Sequence, residues 1–146
     1  MCPFEFGEAS SGSRDQRPRV LIVEDSVLIS LDLENILNEV GCKIVGTCAD
    51  AGQSLRLISE TQIDVALVDY VLVDGVCDTV IVALRSKRIP FAICSGRLKS
   101  EMTTAFPDAP FVGKPYVPEE VCDVVGKLVG APMLASRRSP NVQWID

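Results

Sequence analysis

Four apolar runs in this 146-residue chain end on a group able to do chemistry. Val20-Leu21-Ile22-Val23 leads into Glu24-Asp25, and the run from Ile63 to Val68 leads into Asp69. Phe91-Ala92-Ile93-Cys94 delivers Ser95, and Phe111-Val112-Gly113 delivers Lys114. Three of these positions carry carboxylates. Gathered in one place, two unit charges ~4 Å apart repel by about 4 kcal/mol at an effective dielectric near 20. A hard cation makes such a cluster tolerable. Mg²⁺ suits it, because it takes oxygen ligands in octahedral geometry, keeps several waters and needs only one or two carboxylates plus a carbonyl. Histidine is absent, which removes Ser-His-Asp and Cys-His catalysis, His-ligated metals and any role as a phosphohistidine donor.

Singly, each group has an ordinary reading. Lys-Pro is a turn dipeptide, a serine before glycine marks a turn, and Glu24-Asp25-Ser26 suits the acidic, capped start of a helix. What separates the set from that reading is placement at the ends of strands. Short, continuously apolar runs are the pattern of strands covered on both faces, as in a parallel sheet. In an open sheet of that kind the carboxyl ends form the edge where ligands bind.

The intervening segments supply the helices. Ser26 caps one in which Ile29, Leu33, Ile36, Leu37 and Val40 recur at helical spacing, and Gly41 stops it. Lys43 to Thr47 is a strand. Asp50 caps a helix whose apolar positions are Leu55, Leu57 and Ile58. After an Asp74-Gly75 turn, a helix over about Cys77 to Lys87 turns Val80, Ala83 and Leu84 inward, and Leu98 to Phe106 forms a short helix closed by Pro107. Pro118, Glu119 and Glu120 open the last helix, which carries Val121, Val124, Val125 and Leu128 and ends near Gly130. The expected fold is α/β: a five-stranded parallel doubly wound sheet with helices on both faces. Right-handed crossovers bring every strand's carboxyl end to one edge. Residues 1–18 read as a disordered leader, 19–130 as the domain and 131–146 as a C-terminal tail.

Composition narrows the field. With 47% hydrophobic residues the chain suits one compact domain. A net charge of −6 gives no electrostatic footprint for nucleic acid or an anionic membrane. No apolar run approaches a membrane span, and no signal-peptide pattern opens the chain. The six cysteines are dispersed without C-x-x-C spacing, which points to a reducing cytoplasm rather than disulfides or structural zinc.

In this order, V-L-I-V-E-D-S, A-L-V-D, S-G and K-P-Y resemble the receiver domain of bacterial two-component response regulators over roughly residues 19–130. The wording I-P-F-A-I-C-S-G-R and P-F-V-G-K-P-Y is similar to the short regulators common in alphaproteobacteria. The resemblance implies a flavodoxin-like strand order 2-1-3-4-5 and a phosphoacceptor at Asp69, the nucleophile that forms a mixed anhydride. It implies Mg²⁺ held by Asp25, Asp69 and the Val71 carbonyl, with Glu24 acting through water. It makes Lys114 and Ser95 the phosphoryl-binding groups and Phe111 a switch residue. Arg97 falls where the family varies its phosphoryl lifetime, and the Lys114-Pro115 bond is expected to be cis. Many receivers have proline four residues after the acceptor, where this chain has Val73.

The function so implied is a stand-alone signalling receiver rather than an enzyme. It takes its phosphoryl group from a histidine kinase or histidine phosphotransfer protein. It passes the signal to a protein partner through the face of the fourth helix, fifth strand and last helix, and a homodimer stays open. Two alternatives stand beside it. A degenerate receiver would dock partners without phosphorylation. A haloacid-dehalogenase-type phosphohydrolase would need D-x-D after its first strand, where this chain has adjacent Glu24 and Asp25.

Overall fold

The computed structural model describes residues 16–72, 75–96 and 107–130, with backbone alone for residues 71, 72, 75 and 76. In chain order the elements are β1 (Arg19–Val23), α1 (Val27–Glu39), β2 (Lys43–Cys48), α2 (Ala51–Glu60) and β3 (Val65–Asp69). They continue with β4 (Val71–Leu72), β5 (Gly75–Val76), α3 (Asp78–Ser86), β6 (Phe91–Ser95), β7 (Phe111–Gly113) and α4 (Pro118–Val129). Five strands pair in parallel in the order β2-β1-β3-β6-β7. With the small antiparallel ribbon β4-β5 set aside, this is the order 2-1-3-4-5 of a flavodoxin-like sheet. The helix expected over 98–106, Arg97, residues 1–15 of the leader and the C-terminal tail lie outside the described residues.

Side chains alternate across a strand, and here the alternation feeds two cores. Val20, Ile22, Val65, Leu67, Ala92 and Cys94 join Leu33 and Leu37 of α1 and Val121 and Val125 of α4 on one face. Leu21, Val23, Ala66, Val68, Phe91 and Ile93 join Ile58 of α2 and Val80, Ile81 and Leu84 of α3 on the other. Every residue of β3 is buried, as a central strand with both faces covered requires.

Helix ends follow local chemistry. The Ser26 hydroxyl accepts from the Ile29 N–H at 3.4 Å, and an Asp50 carboxylate oxygen accepts from Gln53 N–H at 2.8 Å. Beyond α1, Cys42 N–H reaches the Leu37 carbonyl (3.0 Å) and Gly41 N–H the Asn38 carbonyl (3.2 Å), with Gly41 at φ 94°. That pair of bonds is a Schellman motif, and glycine suits its left-handed residue.

One position of α2 departs from the apolar pattern. Leu55 is 38% exposed, and Ser54 takes the buried place. Ser54 can do so because it is small and its hydroxyl donates to the Asp50 carbonyl at 2.8 Å, leaving no orphaned polar group. In α3, Ala83 packs half-buried against the core as expected, and Ile81 joins it fully buried. The ribbon β4-β5 is an addition: strands of two residues are too short to show a period in sequence.

Candidate functional site

The parallel sheet sends the ends of β1, β3, β6 and β7 to one edge, and four polar groups converge there. Asp69 is the last residue of β3 and Ser95 the last of β6, while Glu24 and Lys114 directly follow β1 and β7. Glu24 N–H donates to Cys48 O (2.8 Å), Tyr70 N–H to Cys94 O (3.1 Å) and Lys114 N–H to Ser95 O (3.0 Å). Each strand end is therefore tied to its neighbour just where the functional side chain leaves it.

Lys114 Nζ lies 2.8 Å from Glu24 Oε1 and 3.2 Å from Asp69 Oδ2. Glu24, Asp69 and Ser95 are buried, whereas Asp25 is exposed. One carboxylate oxygen from each of Glu24, Asp25 and Asp69 lies within 4.8 Å of the others. Glu24 is held twice. Its Oε2 accepts from Ser26 N–H at 3.1 Å. Its Oε1, fully buried, has the close ammonium but no well-aligned hydrogen bond, so that contact is ionic rather than directional.

Burial raises the Asp69 carboxyl to about 6; Lys114 pulls it down and Glu24 pushes it up. Burial alone works against the Lys114 ammonium, but the contacts with Glu24 and Asp69 outweigh it and hold its pKa above the ordinary lysine value. The two shifts are consistent because the lysine is closer to Glu24, leaving Asp69 under-compensated. These residues fit a hard divalent cation. The donors are all oxygens, three carboxylates converge, and one buried carboxylate oxygen lacks a directed partner.

The structure thus brings Glu24, Asp25, Asp69 and Lys114 together, with Ser95 on the same edge. Val71 lies two residues past Asp69, its backbone in β4 paired with Val76. Phe111 starts β7 opposite Ile93 and is half-buried against the α2/α3 core. The Lys114-Pro115 peptide is cis. Sequence reading gave no role to Tyr116, which is buried beneath this edge, or to Cys94, the residue paired with Asp69 across β3 and β6. The available signal was an aromatic following Lys-Pro, where a solvent-exposed turn would favour a polar residue. The five cysteines among the described residues are buried, and none of them is in a disulfide. No helix among those residues is long and apolar enough to cross a membrane.

A five-stranded parallel sheet of this order, with acids, a hydroxyl and a lysine at its carboxyl edge, defines a receiver-type fold. No protein-family model matches the chain. Its relatives among known proteins agree on the class. The solution structure of SdrG from Sphingomonas melonis Fr1 is 30% identical, covers 77% of this chain and 97% of that one, and superimposes with a TM-score of 0.69. A BeF3-activated conformation of SdrG superimposes with a TM-score of 0.67 at 30% identity, over 76% of this chain and 95% of that one. The PhyR response regulator REC domain of Erythrobacter litoralis is 26% identical, over 78% of this chain and 91% of that one, with a TM-score of 0.70. The phyllosphere-induced regulator PhyR of Methylorubrum extorquens is 27% identical over 131 residues, which is 87% of this chain and 49% of that protein. The chain spans about half the length of that curated relative. It belongs to the receiver-domain family of response regulators, and it is a signalling receiver.

Proposed function

We propose that this receiver accepts a phosphoryl group on Asp69 and changes its protein-binding surface in response. The observation that carries the proposal is the Lys114 ammonium bridging Asp69 and Glu24 at 3.2 and 2.8 Å, with the Asp25 carboxylate in the same cluster. A carboxylate oxygen of Asp69 attacks phosphorus while the bond from phosphorus to the donor breaks. With acetyl phosphate the leaving group is acetate; with a histidine kinase or phosphotransfer protein it is the donor imidazole. Lys114 stands where it can pair with a phosphoryl oxygen, and the Ser95 hydroxyl supplies a neutral donor on the neighbouring strand. Asp25 and Asp69, with the Val71 carbonyl and with Glu24 through water, are the groups that would hold Mg²⁺. The ion supplies charge neutralisation at the phosphoryl oxygens.

The charge added at Asp69 then biases the surface around Ser95, β7 and α4, where Phe111 is the aromatic in reach of a local repacking. The occupant of that surface is a protein, in keeping with a chain of net charge −6. A relative, SdrG, has a BeF3-activated conformation, in keeping with a receiver that responds to a phosphoryl mimic.

Acetyl phosphate with Mg²⁺ tests the reading. One hydroxylamine-labile phosphoryl group is expected on Asp69 by mass spectrometry, absent in Asp69→Asn and strongly reduced in EDTA. Labelling of Asp69→Asn at the parent's level would overturn the assignment. A chain that binds its partner equally well in parent and Asp69→Asn forms would be the phospho-independent docking module instead.

A further inference from the structure

The turn between β7 and α4 has a demanding task. It carries Lys114, whose flexible four-carbon stem must deliver an ammonium to within about 3 Å of two buried carboxylates. A long side chain meets such a target reproducibly only if its own backbone is held still. One tie is visible at Lys114 itself, whose N–H donates to the Ser95 carbonyl at 3.0 Å. A second comes two residues later. Tyr116 is buried in the cluster that contains Cys94, Val112, Val121 and Val125. A side-chain hydrogen bond links its hydroxyl with the Cys94 sulfur.

Packing alone does not account for that hydroxyl. Phenylalanine would fill the same space without bringing a polar group into an apolar core, and a buried hydroxyl is costly unless it is partnered. The partner is also informative. Cys94 pairs with Asp69 across β3 and β6, and its carbonyl accepts from Tyr70 N–H, the residue after Asp69. Cys94 therefore holds the strand end that carries Asp69 with its backbone and the turn that carries Lys114 with its side chain.

We propose that Tyr116 is a positioning residue: through its hydrogen bond to Cys94 it fixes the turn that aims Lys114 at Asp69 and Glu24. Tyr116 touches no reacting atom, and it acts through the lysine. Its kinetic consequence rests on Asp69 being the phosphoacceptor; its structural consequence does not.

The full chain carries the test, read two ways. In metal-free protein, the ¹H–¹⁵N signal of the Lys114 ammonium reports how firmly that group is held, and it is assigned by its loss in Lys114→Ala. It is expected to be protected in the parent, broadened or lost in Tyr116→Phe and Cys94→Ala, and kept in Cys94→Ser, which retains an acceptor. Labelling by acetyl phosphate with Mg²⁺ is expected to slow roughly 3- to 10-fold in the first two variants, the range spanned by loss of one neutral hydrogen bond. The double variant should be no slower than either single one, because both remove the same bond. An unchanged ammonium signal in Tyr116→Phe and Cys94→Ala overturns the proposal, as do fully additive rate losses. Should Tyr116→Phe fail to fold, Cys94→Ala against Cys94→Ser decides alone. A parent that takes no phosphoryl group, with the ammonium still released in the variants, sinks the acceptor reading and leaves the positioning role standing.

Discussion

Asp69 and Lys114 sit in one cluster, but Lys114 favours Glu24, and that asymmetry has a measurable cost. The lysine is closer to Glu24 than to Asp69, and the metal-free Asp69 carboxyl is raised by burial to about 6. An unfolded aspartate titrates near 3.9. Between those values the folded protein binds a proton that the unfolded chain does not, so stability rises as pH falls. The contribution is complete below about pH 4 and is lost as pH rises through about 6. In EDTA, Asp69→Asn should therefore be more stable than the parent at pH 7.5, by on the order of 2 kcal/mol, with the gap closing toward pH 4. Urea unfolding of both proteins across that range measures it. A gap that widens as pH falls would show that the carboxylate is stabilised, not strained, by its surroundings. The convergence of Asp69, Glu24, Asp25, Ser95 and Lys114 was legible in the sequence, because each lies at or just past the end of a strand and parallel strands share an edge. Tyr116 was not, since its role depends on which way a turn folds its side chain, and no periodicity governs a turn.

Among the elements, those with a strong apolar pattern were legible and those with a weak one were not. In α1 the spacing of Leu33, Ile36 and Leu37 left one choice of inward face, and all three are buried. In α2 few apolar residues are available, and Leu55, one of them, is exposed while Ser54 is buried with its hydroxyl satisfied. The end of α3 shows a different mismatch between residue and conformation. Ile89 N–H bonds to the Leu84 carbonyl (2.9 Å) and Arg88 N–H to the Arg85 carbonyl (3.0 Å), the same Schellman pair that closes α1. Its left-handed residue is not glycine but Arg88, at φ 59°. A side chain in that region costs about 1 kcal/mol or somewhat more relative to glycine, offset in part by glycine's greater freedom when unfolded. Arg88→Gly should accordingly stabilise the fold by roughly 0.5–1 kcal/mol, which raises the melting temperature by a few degrees in a domain of this size. Calorimetry with the phosphoacceptor site intact measures this, and a lower melting temperature would mean that the Arg88 side chain contributes more than its backbone strain costs.

At the scale of the molecule the sheet joins the site to a surface, and the last prediction concerns that connection. The strand order 2-1-3-4-5 was legible through the family resemblance, while right-handed crossovers account for the strand ends sharing one edge. Their register places Ser95 opposite Gly113 and Ile93 opposite Phe111. At Gly113 an added Cβ would lie 3.5 Å from Cε2 of the Phe111 ring, so the ring already reaches forward along its strand toward Ser95's partner. Phe111 is half-buried against the α2/α3 core. A phosphoryl group on Asp69 adds charge and acceptor oxygens, and Ser95 is the neutral donor on the adjacent strand end. If Ser95 moves toward those oxygens, it vacates space beside β7, and Phe111 turns inward to fill it, altering the surface next to α4. Ser95→Ala removes the donor while leaving Asp69 and Lys114 in place. That variant should still accept phosphoryl at Asp69, because Lys114 and the acids remain. With beryllofluoride as the phosphoryl mimic, however, the NMR shift changes at Phe111 and along α4 should fall to less than about half of the parent's, since one hydrogen bond of ~1 kcal/mol accounts for a several-fold change in the switched population. Undiminished shifts in Ser95→Ala would disconnect Phe111 from the site and leave acceptor chemistry without this route to the surface.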